Sequence, residues 1–177
     1  MIPVTDKYKR PYILLSLFLL LLALVAKGQQ FDEYELKSGY LFNFYHFVGW
    51  AKPDEVINLA IYGESEMYDK ILVEMAAIKN KPQKRWIISH YSKPEQVTSC
   101  NIIFFTQVKT SEVMKVLAIL KNQQVLTVGD NIPNFCGMGG SINFLAKDSK
   151  KPFEINQSEA ARLKISSKLM SIGKVVQ

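Results

Sequence analysis

Asn101-Ile102-Ile103-Phe104-Phe105-Thr106 (NIIFFT) carries four large apolar residues in a row and no charge. So short and so apolar a run predicts a strand buried on both faces, as in a parallel sheet covered by helices. Working outward, Ile57 to Tyr62 (INLAIY) reads as a second apolar strand, closed by Gly63. Trp86 to Tyr91 and Val125 to Val128 give two more, the latter ending at Gly129-Asp130. Between them lie two segments with helical spacing. Glu64 to Lys79 places Met67, Ile71, Met75 and Ile78 on its buried face. Glu112 to Lys121, capped by Ser111, turns Val113, Val116, Leu117 and Leu120 toward the sheet. Strand and helix alternate, with crossovers long enough to return each strand parallel to the last. The pattern predicts an α/β fold: a mainly parallel central sheet with helices on its faces.

The flanks differ in character. Phe31 to Val48 reads as a helix, with Tyr34, Leu41, Phe44 and Val48 on one stripe and Leu36, Tyr40 and Phe47 beside it. Phe42 and Phe47 point to well-separated sides of such a helix, so it is apolar on two sides. Two accounts stay open. The helix lies between the sheet and the C-terminal helix, or its second side, through Tyr40, Phe42, Tyr45 and Trp50, contacts a partner or a second copy. On the other flank, Ser141 to Ala146 and Pro152 to Asn156 form an antiparallel edge hairpin across a polar connector, Lys147 to Lys151. Helices from Ser158 to Leu163 and Ser166 to Val176 close the chain, the last docked by Leu169, Ile172 and Val176. Gly137-Met138-Gly139-Gly140 leads into a strand rather than a helix, so it predicts a tight turn and not a phosphate loop.

The beginning of the chain carries an address. Lys7, Lys9 and Arg10 precede an uncharged stretch from Ile13 to Ala26, and Ala26 and Gly28 stand at −3 and −1 of a cut before Gln29. As a helix this stretch spans about 21 Å, short of a hydrocarbon core of roughly 30 Å. Residues 1–28 therefore read as a cleavable signal peptide and 29–177 as one mature α/β domain, exported to the periplasm. Removing four of the 22 Lys/Arg and one of the 16 Asp/Glu turns a net charge of +6 into 18 − 15 = +3. The remaining basic runs, Lys79 to Arg85 and Lys147 to Lys151, sit in turns, which excludes nucleic acid as a partner.

Catalytic and metal chemistry find little to use. His46 and His90 are far apart and accompany no nucleophile motif, so both read as packed or exposed residues. The scattered His and Cys fit no metal-ligand spacing, and no cofactor motif is present. Acid pairs lie at helix starts and in loops, where the helix dipole accounts for them. Cys100 and Cys136 leave two readings open, one disulfide or two buried thiols.

Several segments taken in order resemble the YfiR-like family of periplasmic regulators. They are GYLFNFYHFVGW (39–50), IYGES (61–65), CNIIFF (100–105), VLTVGD (125–130) with F-x-x-x-G-G-x-I-N-F after it, FEIN (153–156) and ISSKLMSIGKVV (165–176). The resemblance implies a regulator and not an enzyme: a periplasmic protein that binds and represses the outward-facing domain of an inner-membrane diguanylate cyclase. Its release raises cyclic-di-GMP and favours biofilm. It also implies an outer-membrane partner that sequesters the repressor, disulfides whose redox state affects stability, and relatives that serve other sensors such as histidine kinases. Between FEIN and ISSKL the family has a longer helix with an Ala-Gly-Leu turn, where this chain has QSEAARLK. The rival reading is a small-ligand binding module or enzyme using the crevice at the carboxyl ends of the strands, where Ser65, Thr106 and Asp130 lie.

Overall fold

A computed structural model describes residues 33–51 and 55–177. The signal-peptide reading, with its cut between Gly28 and Gln29, falls outside them. Seven strands, β1 (Val56–Gly63), β2 (Arg85–Tyr91), β3 (Ile102–Thr106), β4 (Leu126–Asp130), β5 (Ile142–Phe144), β6 (Phe153–Asn156) and β7 (Lys174–Val176), form one sheet. Its order is β2-β1-β3-β4-β5-β6-β7. Every neighbouring pair is parallel except the antiparallel β5–β6 hairpin. The α/β reading stands, and β3 is buried at all five positions. No described helix is long and apolar enough to cross a membrane.

Alternation along the strands separates two cores. Ile57, Leu59, Ile61, Ile102, Phe104 and Val128 face one side, with helix α1 (33–44), helix α2 (Glu66–Lys79) and the C-terminal helices α4 (Gln157–Arg162) and α5 (Ser167–Ile172). Ala60, Tyr62, Ile103 and Phe105 face the other, under helix α3 (Thr110–Leu120) through Val113, Val116, Leu117 and Leu120. A side-chain period of two along each strand is what feeds both layers.

Four local expectations need correction. The helix of α1 stops at residue 44 and tightens into a 3₁₀ turn at Tyr45–Phe47, and Leu36 points to solvent at 61% exposure. In α2 the buried face is Tyr68, Ile71, Leu72 and Ala76, leaving Met67 and Ile78 exposed. The Tyr68 ring sets that face, edge-on to Phe104 with centroids 4.8 Å apart, and spacing then fixes the rest. Ser111 is not a cap: the helix already runs from Thr110, and the Lys109 carbonyl accepts from the N–H groups of Glu112 and Val113. The final helix ends at Ile172, after which Lys174–Val176 becomes β7 beside β6. Leu169 is docked as expected, whereas Ile172 is exposed and Val176 belongs to the strand.

Two glycines of the family segments have steric reasons. Gly63 has φ +117°, and a Cβ there would lie 1.8 Å from the Thr106 carbonyl oxygen, so the end of β1 tolerates no side chain. At Gly140 a Cβ would meet the Phe135 ring at 2.1 Å. That ring closes the loop between β4 and β5, which Asn143 clamps by accepting from the Ile132 N–H and donating to its carbonyl. The short helix QSEAAR ends in a Schellman turn, with Ile165 N–H donating to the Ala160 carbonyl and Lys164 N–H to that of Ala161. Lys164 adopts φ +51°, a conformation that suits glycine. Replacing Lys164 with Gly should therefore raise stability by about 1 kcal/mol, read as a higher melting temperature with unchanged circular dichroism.

Candidate functional site

The carboxyl ends of β1, β3 and β4 gather the residues expected to form a ligand crevice. Thr106 is fully buried at the end of β3, and its hydroxyl lies 3.5 Å from Oδ2 of Asp130 at the end of β4. Ser65 is already engaged: its hydroxyl accepts from the Tyr68 N–H as the N-cap of α2. The crevice itself is filled. Tyr68 donates its hydroxyl to Asp130 Oδ2 at 3.1 Å, and Lys37 of α1 donates to Asp130 Oδ1 at 2.7 Å. Lys37 also pairs with Glu33, one turn earlier, at 2.6 Å. The side chains of Lys37 and Asp130 are only 12% and 17% exposed. The Tyr34 ring stands edge-on to Tyr68 with centroids 4.6 Å apart. Burial works against a charged Lys37, but its hydrogen bonds to Asp130 and Glu33 outweigh it and hold its pKa above the ordinary lysine value. Burial, then the Asp130 charge, push the Tyr68 phenol up as well. This end of the sheet binds its own first helix.

An open hollow lies beside that helix, lined in part by Glu33 and Lys37 themselves. A cavity of about 390 Å³ separates α1 from the β5–β6 hairpin, between Leu36 and Tyr40 on one wall and Leu145 and Pro152 on the other, over Phe144. Lys147, Lys150 and Lys151 of the connector rim it. A second hollow of about 470 Å³ continues along α1 and shares Leu36 and Tyr40. An apolar channel with a cationic rim can take an apolar side chain whose neighbours are acidic.

Of the aromatic residues expected to face a partner, only Tyr40 lines this groove. Phe42 and Tyr45 are 1% and 3% exposed, so they are core residues and not contact residues. Trp86 accounts for both, standing edge-on to Phe42 at 4.6 Å and to Tyr45 at 5.6 Å between centroids. Trp50 is half-buried, stacked on Tyr45, and its Nε1 donates to the Tyr45 carbonyl at 2.8 Å. The helix is apolar on two sides because it has core on two sides: Phe44 packs on Phe144 and Phe153, while Phe42 packs on Trp86.

The remaining reactive side chains stand apart. Cys100 and Cys136 are free, buried thiols, each pushed up to about 12 chiefly by burial. Cys100 precedes β3, whereas the Cys136 carbonyl is held by the Asn156 side chain at the end of β6, with β4 and β5 between those strands. Of the two readings the sequence left open, the structure has the pair of thiols. His46 is exposed, its pKa lowered by partial burial and then by Lys84 and Lys79. His90 Nδ1 lies 3.3 Å from Asp69. Among the described residues no group of three or more His, Cys, Asp or Glu could hold a metal ion.

The sequence reading did not single out Lys37 or Tyr68, and it placed Leu36 beside the apolar stripe of the first helix rather than at a site. Lys37 had one available signal: a lysine on the stripe of Tyr34, Leu41 and Phe44 must find a counter-ion when that stripe is buried. The partner, Asp130, lies 93 residues away and is invisible to any local pattern.

The model of the YfiR/HmsC-like family matches residues 34–174. The chain belongs to the YfiR/HmsC-like family, a family of regulators. Comparison with curated proteins found no match.

The pair at Lys37 sets a testable pH dependence. With the folded pKa raised, its contribution is complete below the unfolded lysine value of about 10.4 and is lost as pH rises through the higher folded value. Lys37→Met should cost about 2–3 kcal/mol at neutral pH, since Asp130 keeps only its hydroxyl partners. Denaturant titrations should show the gap between variant and wild type closing above about pH 10.5.

Proposed function

We propose that the protein is exported to the periplasm and regulates an inner-membrane sensor by binding that sensor's periplasmic domain. The expected action is repression, and the target class is a diguanylate cyclase or a histidine kinase. The observation that carries the reading is the family match over residues 34–174, taken with the leader-like composition of residues 1–28. The site supports it in two ways. The crevice of the sheet is occupied by Lys37 and Tyr68, which leaves the small-ligand reading without its expected pocket. The groove beside α1 supplies an apolar channel with a lysine rim on a rigid helix, suited to an acidic segment of another protein. In this reading Leu36 and Tyr40 anchor the contact, and Lys147 and Lys150 steer it.

Two measurements test the proposal. The first is N-terminal sequencing of the protein from a periplasmic extract, which should begin at Gln29. The second is co-purification from solubilised membranes with wild-type protein and with a Leu36→Glu, Lys147→Glu, Lys150→Glu variant. Wild type should retain an inner-membrane protein with a periplasmic sensing domain, and the variant should retain at least about tenfold less while melting at the same temperature. Retention of no sensor by the wild type would sink the reading, and equal retention by the variant would move the contact off the groove.

A further inference from the structure

The amino and carboxyl ends of the parallel strands differ in charge. The turn from α2 into β2, Lys79 to Arg85, holds four cations and no acid in seven residues. It is tied by backbone bonds in both directions between Lys81 and Lys84, at 2.9 and 3.1 Å. Lys81 and Arg85 are exposed, and among the described residues none of the four cations stands in an ion pair. Glu55, whose carbonyl accepts from the Arg85 N–H, is the described acid beside them. Lys84 and Lys79 lie against the exit of α1, with Nζ 4.4 Å from the Tyr45 ring centroid and 5.5 Å from that of Phe42. Lys121 at the end of α3 and Lys164 next to Gly49 are exposed at the same end of the sheet. The carboxyl end instead carries Glu64 and Glu66 at the start of α2 and Glu112 at the start of α3.

Cations at helix C-termini are ordinary, and a basic turn by itself is a solvated face. Two apolar features make this end amphipathic. Ile78, directly before Lys79, is 83% exposed, more than any other large apolar side chain among the described residues. Trp50 is half-buried on the same side of the molecule, stacked on the Tyr45 ring that Lys84 covers. An isoleucine projecting from a turn among lysines needs a pocket if the partner is an acidic protein. A lipid bilayer needs none: the interface is fluid, takes an apolar side chain below the headgroups and sets cations among the phosphates. Tryptophan beside tyrosine also suits the headgroup level, where one part of the ring is dry and the other wet.

We propose that the amino end of the sheet docks on an anionic phospholipid bilayer, with Lys79, Lys81, Lys84 and Arg85 at the headgroups and Ile78 beneath them. The acids at the other end are repelled by the same surface, which selects one orientation. The groove beside α1 opens at the carboxyl end, next to the connector that follows β5, and so faces away from the bilayer. The inference goes beyond sensor binding and stands without it. The test is co-sedimentation of protein, purified after expression of the full chain, with vesicles of phosphatidylcholine alone or with about one-third phosphatidylglycerol. Wild type should bind the anionic vesicles and not the neutral ones, and should be released as salt rises from about 0.05 to about 0.5 M. A cation near such a surface is worth about fivefold in partitioning, so Lys81→Gln with Arg85→Gln should weaken binding about twenty-five-fold at an unchanged melting temperature. Ile78→Ser should weaken it about fivefold with no change in charge, which a purely electrostatic contact would not show. Lys147→Glu with Lys150→Glu, at the opposite end, should bind vesicles as wild type does. No binding to anionic vesicles, equal binding to neutral ones, or loss through the connector variant and not through the Lys81 and Arg85 variant would overturn the proposal. Capture of soluble polyglutamate without capture of vesicles would overturn it in favour of an acidic protein.

Discussion

The rest of the structure depends on the attachment of α1 to the carboxyl end of the sheet. Lys37 bridges Glu33 on its own helix and Asp130 at the end of β4, and Asp130 is shared with the hydroxyls of Tyr68 and Thr106. An ion pair this shielded contributes little net energy against water. Its effect is geometric, since any slip of α1 along the sheet would leave a buried carboxylate or ammonium without a partner. Aromatic packing supplies the non-directional part. Phe42 and Tyr45 meet Trp86 on one side, and Tyr40 and Phe44 meet Phe144 and Phe153 on the other. The far end of the segment is tied down as well, with Gly49 N–H donating to the Leu163 carbonyl and Ser166 N–H to that of Phe47.

This attachment decides what the carboxyl end can do. Doubly wound sheets bind ligands outside the carboxyl ends of their strands where the strand order reverses, here between β1 and β3. In this chain an intramolecular ammonium and a phenol are bound one strand further along, on Asp130 at the end of β4. The concave surface is displaced to the flank of α1, between Leu36 and the hairpin connector. A helix fixed at both ends presents its outer residues rigidly, which lowers the ordering cost of a protein–protein contact. The same fixation removes Phe42 and Tyr45 from any docking role in the folded chain.

The α/β layout was legible because strand signals are local. NIIFFT, INLAIY and the Lys147–Lys151 connector report themselves through composition, and α3 through one clean apolar stripe. Legibility failed where long-range packing overrode a local pattern. Met67 and Ile78 fit a helical stripe on α2, but Tyr68 reaches Phe104 and rotates the face. The last strand escaped notice because Lys174–Val176 is too short to show alternation and gains its order only beside β6. Of the residues expected at the crevice, Thr106 and Asp130 end β3 and β4, positions that an apolar run closing on a polar residue marks locally. Lys37, which fills it, meets Asp130 only through tertiary structure.

The central claim is that α1 is an integral layer of the fold, fastened over the sheet end, and not a movable cover of a binding crevice. Amide hydrogen exchange measures this most directly, because exchange rates report the free energy of opening each element. On this account the amides of residues 37–44 exchange in the same slow class as those of β3 and β4, and open only with the whole molecule. Exchange of α1 faster by orders of magnitude than that of β3, under native conditions, would contradict the account and return the carboxyl-end crevice to a ligand.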